Sequence, residues 1–167
     1  MGLPADFDNF VFEDGGCLEE FGLCCGLNIT SIELPETVKR LSQGAFRECK
    51  NLTNIDDLLE GIEEIGPSAF YQSGVRSVNF PEGLKVIGSR AFDECEELRM
   101  ITMPSTTTSI GSGAFRACPK LMTSTVNGAE LSVEGDIFVS CPFISSITIG
   151  KDVKTFECNT LDKAITE

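Results

Sequence analysis

The chain has no histidine, and its 167 residues carry 13 Lys+Arg against 26 Asp+Glu, for a formal net charge of −13. Without histidine, the commonest general base and the commonest metal ligand are missing. So few cations leave no basic footprint for nucleic-acid phosphates or an anionic membrane surface. No stretch approaches the roughly 20 apolar residues of a membrane-spanning helix, so no direct membrane insertion is expected. The first residues, Met1 to Asp8, carry acids where a signal peptide has a basic region. Asp6 stands where the myristoylation motif wants Ser or Thr. These absences predict a soluble chain, intracellular as given, or secreted or at the surface if a leader has been removed. The chain also lacks a C-x-x-C pair, a D-x-D-x-D-G calcium loop, a phosphate loop and a nucleophile motif. No catalysis, cofactor or metal is therefore expected.

What is present is apolar material and a repeat. Hydrophobic residues make up 41% of the chain, enough for a packed core, and the length suits one domain. The pair Ala-Phe occurs at Ala45-Phe46, Ala69-Phe70, Ala91-Phe92 and Ala114-Phe115. One more step reaches Phe138, another Leu161, and a step backward reaches Phe21. A cysteine stands three residues after most of these positions, at Cys24, Cys49, Cys95, Cys118 and Cys141, with Ser73 the exception. Apolar triplets follow, as in Val75/Val78/Phe80 and Leu98/Ile101/Met103, then a Pro such as Pro81 or Pro104. Ile-Gly precedes three of the units at Ile65-Gly66, Ile87-Gly88 and Ile110-Gly111.

Each unit has a direct physical reading. Alternation before Pro marks a short strand, because side chains two apart share a face and Pro cannot continue a ladder. A second short extended piece follows, and Gly then permits a bend into a helical turn at Ala-Phe-x-x-Cys. A unit of about 23 residues cannot bury its own apolar side, so copies must stack, Phe on Phe. Six rungs at about 4.8 Å would give a body roughly 25–30 Å long. Ser124, Thr107 and the extra residue in Asp57-Leu58-Leu59 break the pattern, so local bulges are expected there.

The segment Leu98-Arg99-Met100-Ile101-Thr102-Met103 is similar to the strand half of a leucine-rich repeat. With its Pro, Ile-Gly and Ala-Phe-x-x-Cys continuation, the chain resembles the BspA-like (Treponema-type) subclass over residues 21–161. The resemblance implies a leucine-rich repeat solenoid, strand-rich α/β, with a parallel sheet on the concave side. It also implies protein–protein contact, often as a surface adhesin. The expected layout is an N-terminal cap over 1–20, the solenoid over 21–161 and a short tail over 162–167.

Other features have structural readings. Five cysteines share one repeat position and read as small buried groups beside Phe. Cys24, Cys25 and Cys17 are the better disulfide candidates. The sequons Asn28-Ile29-Thr30 and Asn51-Leu52-Thr53 arise from the repeat. Acidic clusters such as Glu94, Glu96 and Glu97 read as solvated charge.

The outward positions of the strands form three columns. The first runs Thr30, Thr53, Arg76, Arg99, Met122, Ser145; the second Ser31, Asn54, Ser77, Met100, Thr123, Ser146; the third Glu33, Asp56, Asn79, Thr102, Thr125, Thr148. These read either as a solvated face of β-formers or as a recognition surface with adaptable Met contacts. The candidate partner-binding residues are Arg76, Asn79, Arg99, Met100, Thr102, Met122, Thr123, Thr125, Ser146 and Thr148. A solenoid also exposes apolar ends, and the short carboxyl terminus makes end-docking on another subunit a second expected contact. The expected function is a non-catalytic protein-interaction module or structural accessory subunit, or else a surface adhesin or a fragment of one.

Overall fold

The computed structural model of the chain describes residues 19–153, apart from 23, 129, 130 and 134. Ten short strands follow in order: β1 (Glu20–Phe21), β2 (Arg40–Leu41), β3 (Glu64–Ile65), β4 (Ser77–Asn79), β5 (Val86–Ile87), β6 (Met100–Thr102), β7 (Ser109–Ile110), β8 (Thr123–Val126), β9 (Ser132–Val133) and β10 (Ser146–Ile149). They divide between two parallel sheets, one ordered β1-β2-β3-β5-β7-β9 and the other β10-β8-β6-β4. The chain is a leucine-rich repeat solenoid, strand-rich and wound in successive turns, as the repeat predicts.

Period-two alternation sets the inward face of each sheet. Leu41, Ile65, Ile87, Ile110 and Val133 share one cross-strand row in the six-stranded sheet. Val78, Ile101, Ser124 and Ile147 share the corresponding row in the four-stranded sheet. Between the sheets runs the aromatic column. Phe46, Phe70, Phe92 and Phe115 are fully buried, and successive rings from Phe46 to Phe138 stack at centroid distances of 5.3, 4.9, 5.5 and 5.9 Å. Burying each ring contributes roughly 1.5–3 kcal/mol of transfer free energy.

The Ala-Phe-x-x-Cys segments form single i→i+3 turns, and no α-helix occurs among the described residues. In the second rung Arg47 N–H donates to Gly44 O, and Cys49 N–H to Phe46 O. The residue two after Phe then adopts positive φ at every rung: Glu48, Gln72, Glu94, Ala117 and Ser140 lie between 51° and 60°. A left-handed residue stops helix propagation and returns the chain to the next strand.

Three expectations need correction. The first concerns Phe21. Its backbone pairs with Leu41 in β1–β2, so it occupies a strand slot and not the turn slot of the other rings. Cys24 takes that turn slot, since Cys24 N–H donates to Ala45 O as Phe46 N–H does to Ala69 O. The Phe21 ring still reaches over and stacks on Phe46 at 5.4 Å.

The second concerns the Ile-Gly glycines, which provide clearance between rungs. A Cβ on Gly66, Gly88 or Gly111 would lie 2.5 Å from Leu41 O, 2.6 Å from Pro67 N or 2.4 Å from Ser89 N.

The third concerns the bulges. Ser124 keeps its register with both Ile101 and Ile147, and Thr107 stays buried with its hydroxyl turned to Leu84 O. The extra residue is absorbed by a short 3-10 turn over Asp57–Leu59, which buries Leu58 and Leu59 in the core.

Candidate functional site

The four-stranded sheet turns its outward face to solvent. Parallel pairing sets Ser77, Met100, Thr123 and Ser146 side by side, and likewise Asn79, Thr102, Thr125 and Thr148. Arg76, Arg99, Met122 and Ser145 form the third column, joined N–H to C=O from Arg99 to Arg76, Met122 to Arg99 and Ser145 to Met122. The ten candidate residues therefore lie on one continuous surface.

The two N-terminal members of each column lie outside the sheet. Asn54 folds its side chain onto the Asp56 N–H at 3.0 Å, and Asp56 Oδ1 accepts from the Asn79 N–H at 3.2 Å. A carboxylate thus caps the β4 edge where a backbone carbonyl would otherwise continue the ladder. Charged groups at an edge discourage further strand pairing there.

The C-terminal half of this face is apolar as well as polar. Met100 and Met122 are 50% and 46% exposed, and Phe143 is 66% exposed. Met122 and Phe143, with Arg99, Pro119 and Lys120, line a groove of about 390 Å³. Lys120 pairs with Glu97 at 2.5 Å, an interaction that holds the Glu97 carboxyl below its ordinary range. Arg76 and Arg99 are exposed and make no ion pair of their own among the described residues, but both help Lys120 hold the Glu97 carboxyl low, so three cations share one carboxylate. Sequence reasoning missed Phe143, Lys120 and Pro119. The available signal was an aromatic residue in a column that elsewhere carries Asn51, Gly74, Glu97 and Lys120.

The six-stranded sheet carries a different surface. Its flanking column runs Glu19, Lys39, Glu63, Lys85, and its strand column Glu20, Arg40, Glu64. Signs alternate from rung to rung. Lys85 pairs with Glu63 at 2.6 Å and holds its carboxyl below the usual carboxylate range, while Glu20 accepts from Ser42 Oγ. The groove on this side, about 580 Å³, is lined by charges of both signs, of which Lys85 and Glu63 form an ion pair.

The cysteines lie away from both faces. Cys24, Cys49, Cys95, Cys118 and Cys141 are buried and free, and Cys25 is free and exposed. Cys17, one of the disulfide candidates, lies outside the described residues, as does most of the expected N-terminal cap and the whole of the tail. Each buried thiol of the column donates to the backbone of the preceding rung: Cys95 Sγ to Phe70 O at 3.1 Å, Cys118 Sγ to Phe92 O at 3.2 Å and Cys141 Sγ to Phe115 O at 3.0 Å. Burial pushes the Cys24 and Cys95 thiols up to about 12 and Cys49 up to about 11. Such thiols stay protonated and unreactive at neutral pH.

Asp93 is the one fully buried carboxylate among the described residues. Arg116 donates to its Oδ2 from Nε and Nη2 at 3.0 and 2.8 Å, which ties two adjacent rungs together.

Comparison with known proteins agrees with this architecture. A family model described as the BspA type leucine rich repeat region matches residues 19–142 and 53–165. A leucine-rich repeat protein of Treponema pallidum superposes with a TM-score of 0.73 at 23% identity, covering 98% of this chain and 79% of that one. A leucine-rich repeat protein of Bacteroides ovatus gives 0.68 at 28% identity, over 81% of this chain and 36% of that one. The pneumococcal vaccine antigen PcpA also gives 0.68, at 23% identity, over 78% of this chain and 33% of that one. The chain thus spans about a third of the length of the last two. No match is found among curated proteins. Repeat, fold and family match coincide over nearly the whole described length: the chain belongs to the BspA-type leucine-rich repeat family.

Proposed function

We propose that the protein is a non-catalytic protein-binding module that engages its partner through the outward face of the four-stranded sheet. The observation that carries this reading is the cluster of exposed Met100, Met122 and Phe143 on a sheet that is otherwise polar. Flexible Met side chains adapt to varied apolar partners, and clustered exposed apolar groups mark contact surfaces. The interior supports the same reading, since the recurring chemistry of the rungs is spent on packing: rings stack, thiols satisfy carbonyls, and Arg116 neutralises Asp93.

Affinity capture from native extract with matched variants tests it. A partner recovered by the wild type and by Lys85→Glu, but lost with Met100→Glu/Met122→Glu at unchanged unfolding midpoint, supports this face. A partner retained by the Met double variant places binding elsewhere.

A second reading, a cell-surface adhesin or a fragment of one, is favoured by the two sequons, whose Asn28 and Asn51 are both exposed and joined side chain to side chain at 3.1 Å. Glycan at these positions in the native protein supports it. Unmodified asparagines there favour an intracellular module or accessory subunit.

A further inference from the structure

The partner's chemistry can be taken further, on the footing that the four-stranded face is the binding surface. The groove lined by Arg99, Pro119, Lys120, Met122 and Phe143 joins two kinds of group in one place. Apolar side chains form its walls, and cations stand at its rim. At the rim Lys120 is paired with Glu97, while Arg99 and its column neighbour Arg76 act on the same carboxylate without an ion pair of their own among the described residues, so three cations share one acid. In a chain of net charge −13, this local excess of cations beside exposed methionines runs against the overall charge of the molecule. On the other sheet, by contrast, acids and bases alternate one for one over the amino-terminal rungs, Glu19, Lys39, Glu63 and Lys85.

We propose that this groove docks an extended, acidic segment of a partner protein that carries one aromatic or aliphatic anchor. The anchor lies between Met122 and Phe143, where its burial removes apolar surface on both sides from water. Carboxylates flanking it meet Arg76 and Arg99, whose planar forks donate to a carboxylate in a bidentate manner. Hydroxyls of Thr102, Thr123 and Thr125 border the track on the neighbouring columns and offer hydrogen bonds to the peptide amides. The acids at the amino end of the face, Glu33 and Asp56, repel the same segment and so set its direction toward the carboxyl-terminal rungs.

The test is a selection of random displayed peptides on the immobilised full chain, followed by fluorescence polarisation of the leading peptide. The expected outcome is enrichment of net-negative peptides with a single aromatic or large aliphatic residue. Their affinity falls more than about tenfold with Arg76→Glu/Arg99→Glu and with Met122→Ala/Phe143→Ala, weakens in high salt, and is unmoved by Lys85→Glu. Selected peptides without excess acid that still depend on Met122 and Phe143 overturn this proposal while leaving the face as a binding surface. Peptides indifferent to every substitution on this face overturn both. Light scattering that shows a dimer broken by Met122→Glu overturns it by making a second copy the occupant.

Discussion

The two sheets are built from the same repeat and wound by the same turns, yet they treat charge in opposite ways. Along the amino-terminal rungs of the six-stranded sheet signs alternate through Glu19, Lys39, Glu63 and Lys85, and the last two form an ion pair. On the four-stranded sheet, Arg99 follows Arg76, Met122 follows Arg99, and the apolar groups stay in water. A surface that has satisfied its own charges has little to gain from a partner. One that has not retains free energy to be released on contact. The difference therefore distinguishes a face that holds the solenoid together from a face available for recognition.

Both sheets share the aromatic column, so the largest effect should not discriminate between them. Phe92→Ala is expected to destabilise the chain by about 3–5 kcal/mol, and both sheets should melt together in urea. A cost below about 1 kcal/mol, or separate melting of the two sheets, would break the picture of one continuous core.

A smaller loss is expected on the six-stranded side from Gly88→Ala. The new methyl group meets the Pro67 backbone and should cost about 1–3 kcal/mol in thermal or urea unfolding. On the four-stranded side the expected sign is reversed. Ser124 Oγ is buried with no hydrogen-bond partner among the described residues, in a row otherwise made of Val78, Ile101 and Ile147. Ser124→Val should stabilise by about 1–2 kcal/mol in the same assay. No gain would mean that the hydroxyl has found a bonding partner.

The finest test compares single surface charges. Lys85→Ala should lose a little stability at low salt, and the loss should vanish as salt screens the Glu63 pair. Arg99→Ala, which removes no ion pair, should lose less at low salt. Equal losses at the two positions would remove the distinction between the faces.

Much of this was legible before any coordinates. Recurring Phe and Cys set the unit, and alternation named the inward rows Val78/Ile101/Ile147 and Ile65/Ile87/Ile110. The outward columns through Arg76, Arg99, Met100, Met122 and the threonines followed from the same register. Phe143 escaped notice because a single repeat carries it, and periodicity is blind to a residue that does not recur. The displaced slot of Phe21 escaped for the opposite reason, since a ring three residues from Cys24 mimics the spacing of the other units. Only the backbone pairing of β1 with β2 reveals that the side chain reaches the stack from a strand.

Sequence alone determined that the chain coils, since a short amphipathic unit repeated in register can bury its apolar side only against copies of itself. Tertiary structure alone decided which charges meet. Residues about 23 apart become neighbours only when rungs stack, and a shift of one position in a turn decides whether a Lys faces a Glu or an Arg follows an Arg. Electrostatic pairing depends on distances of a few ångströms, which linear spacing does not encode.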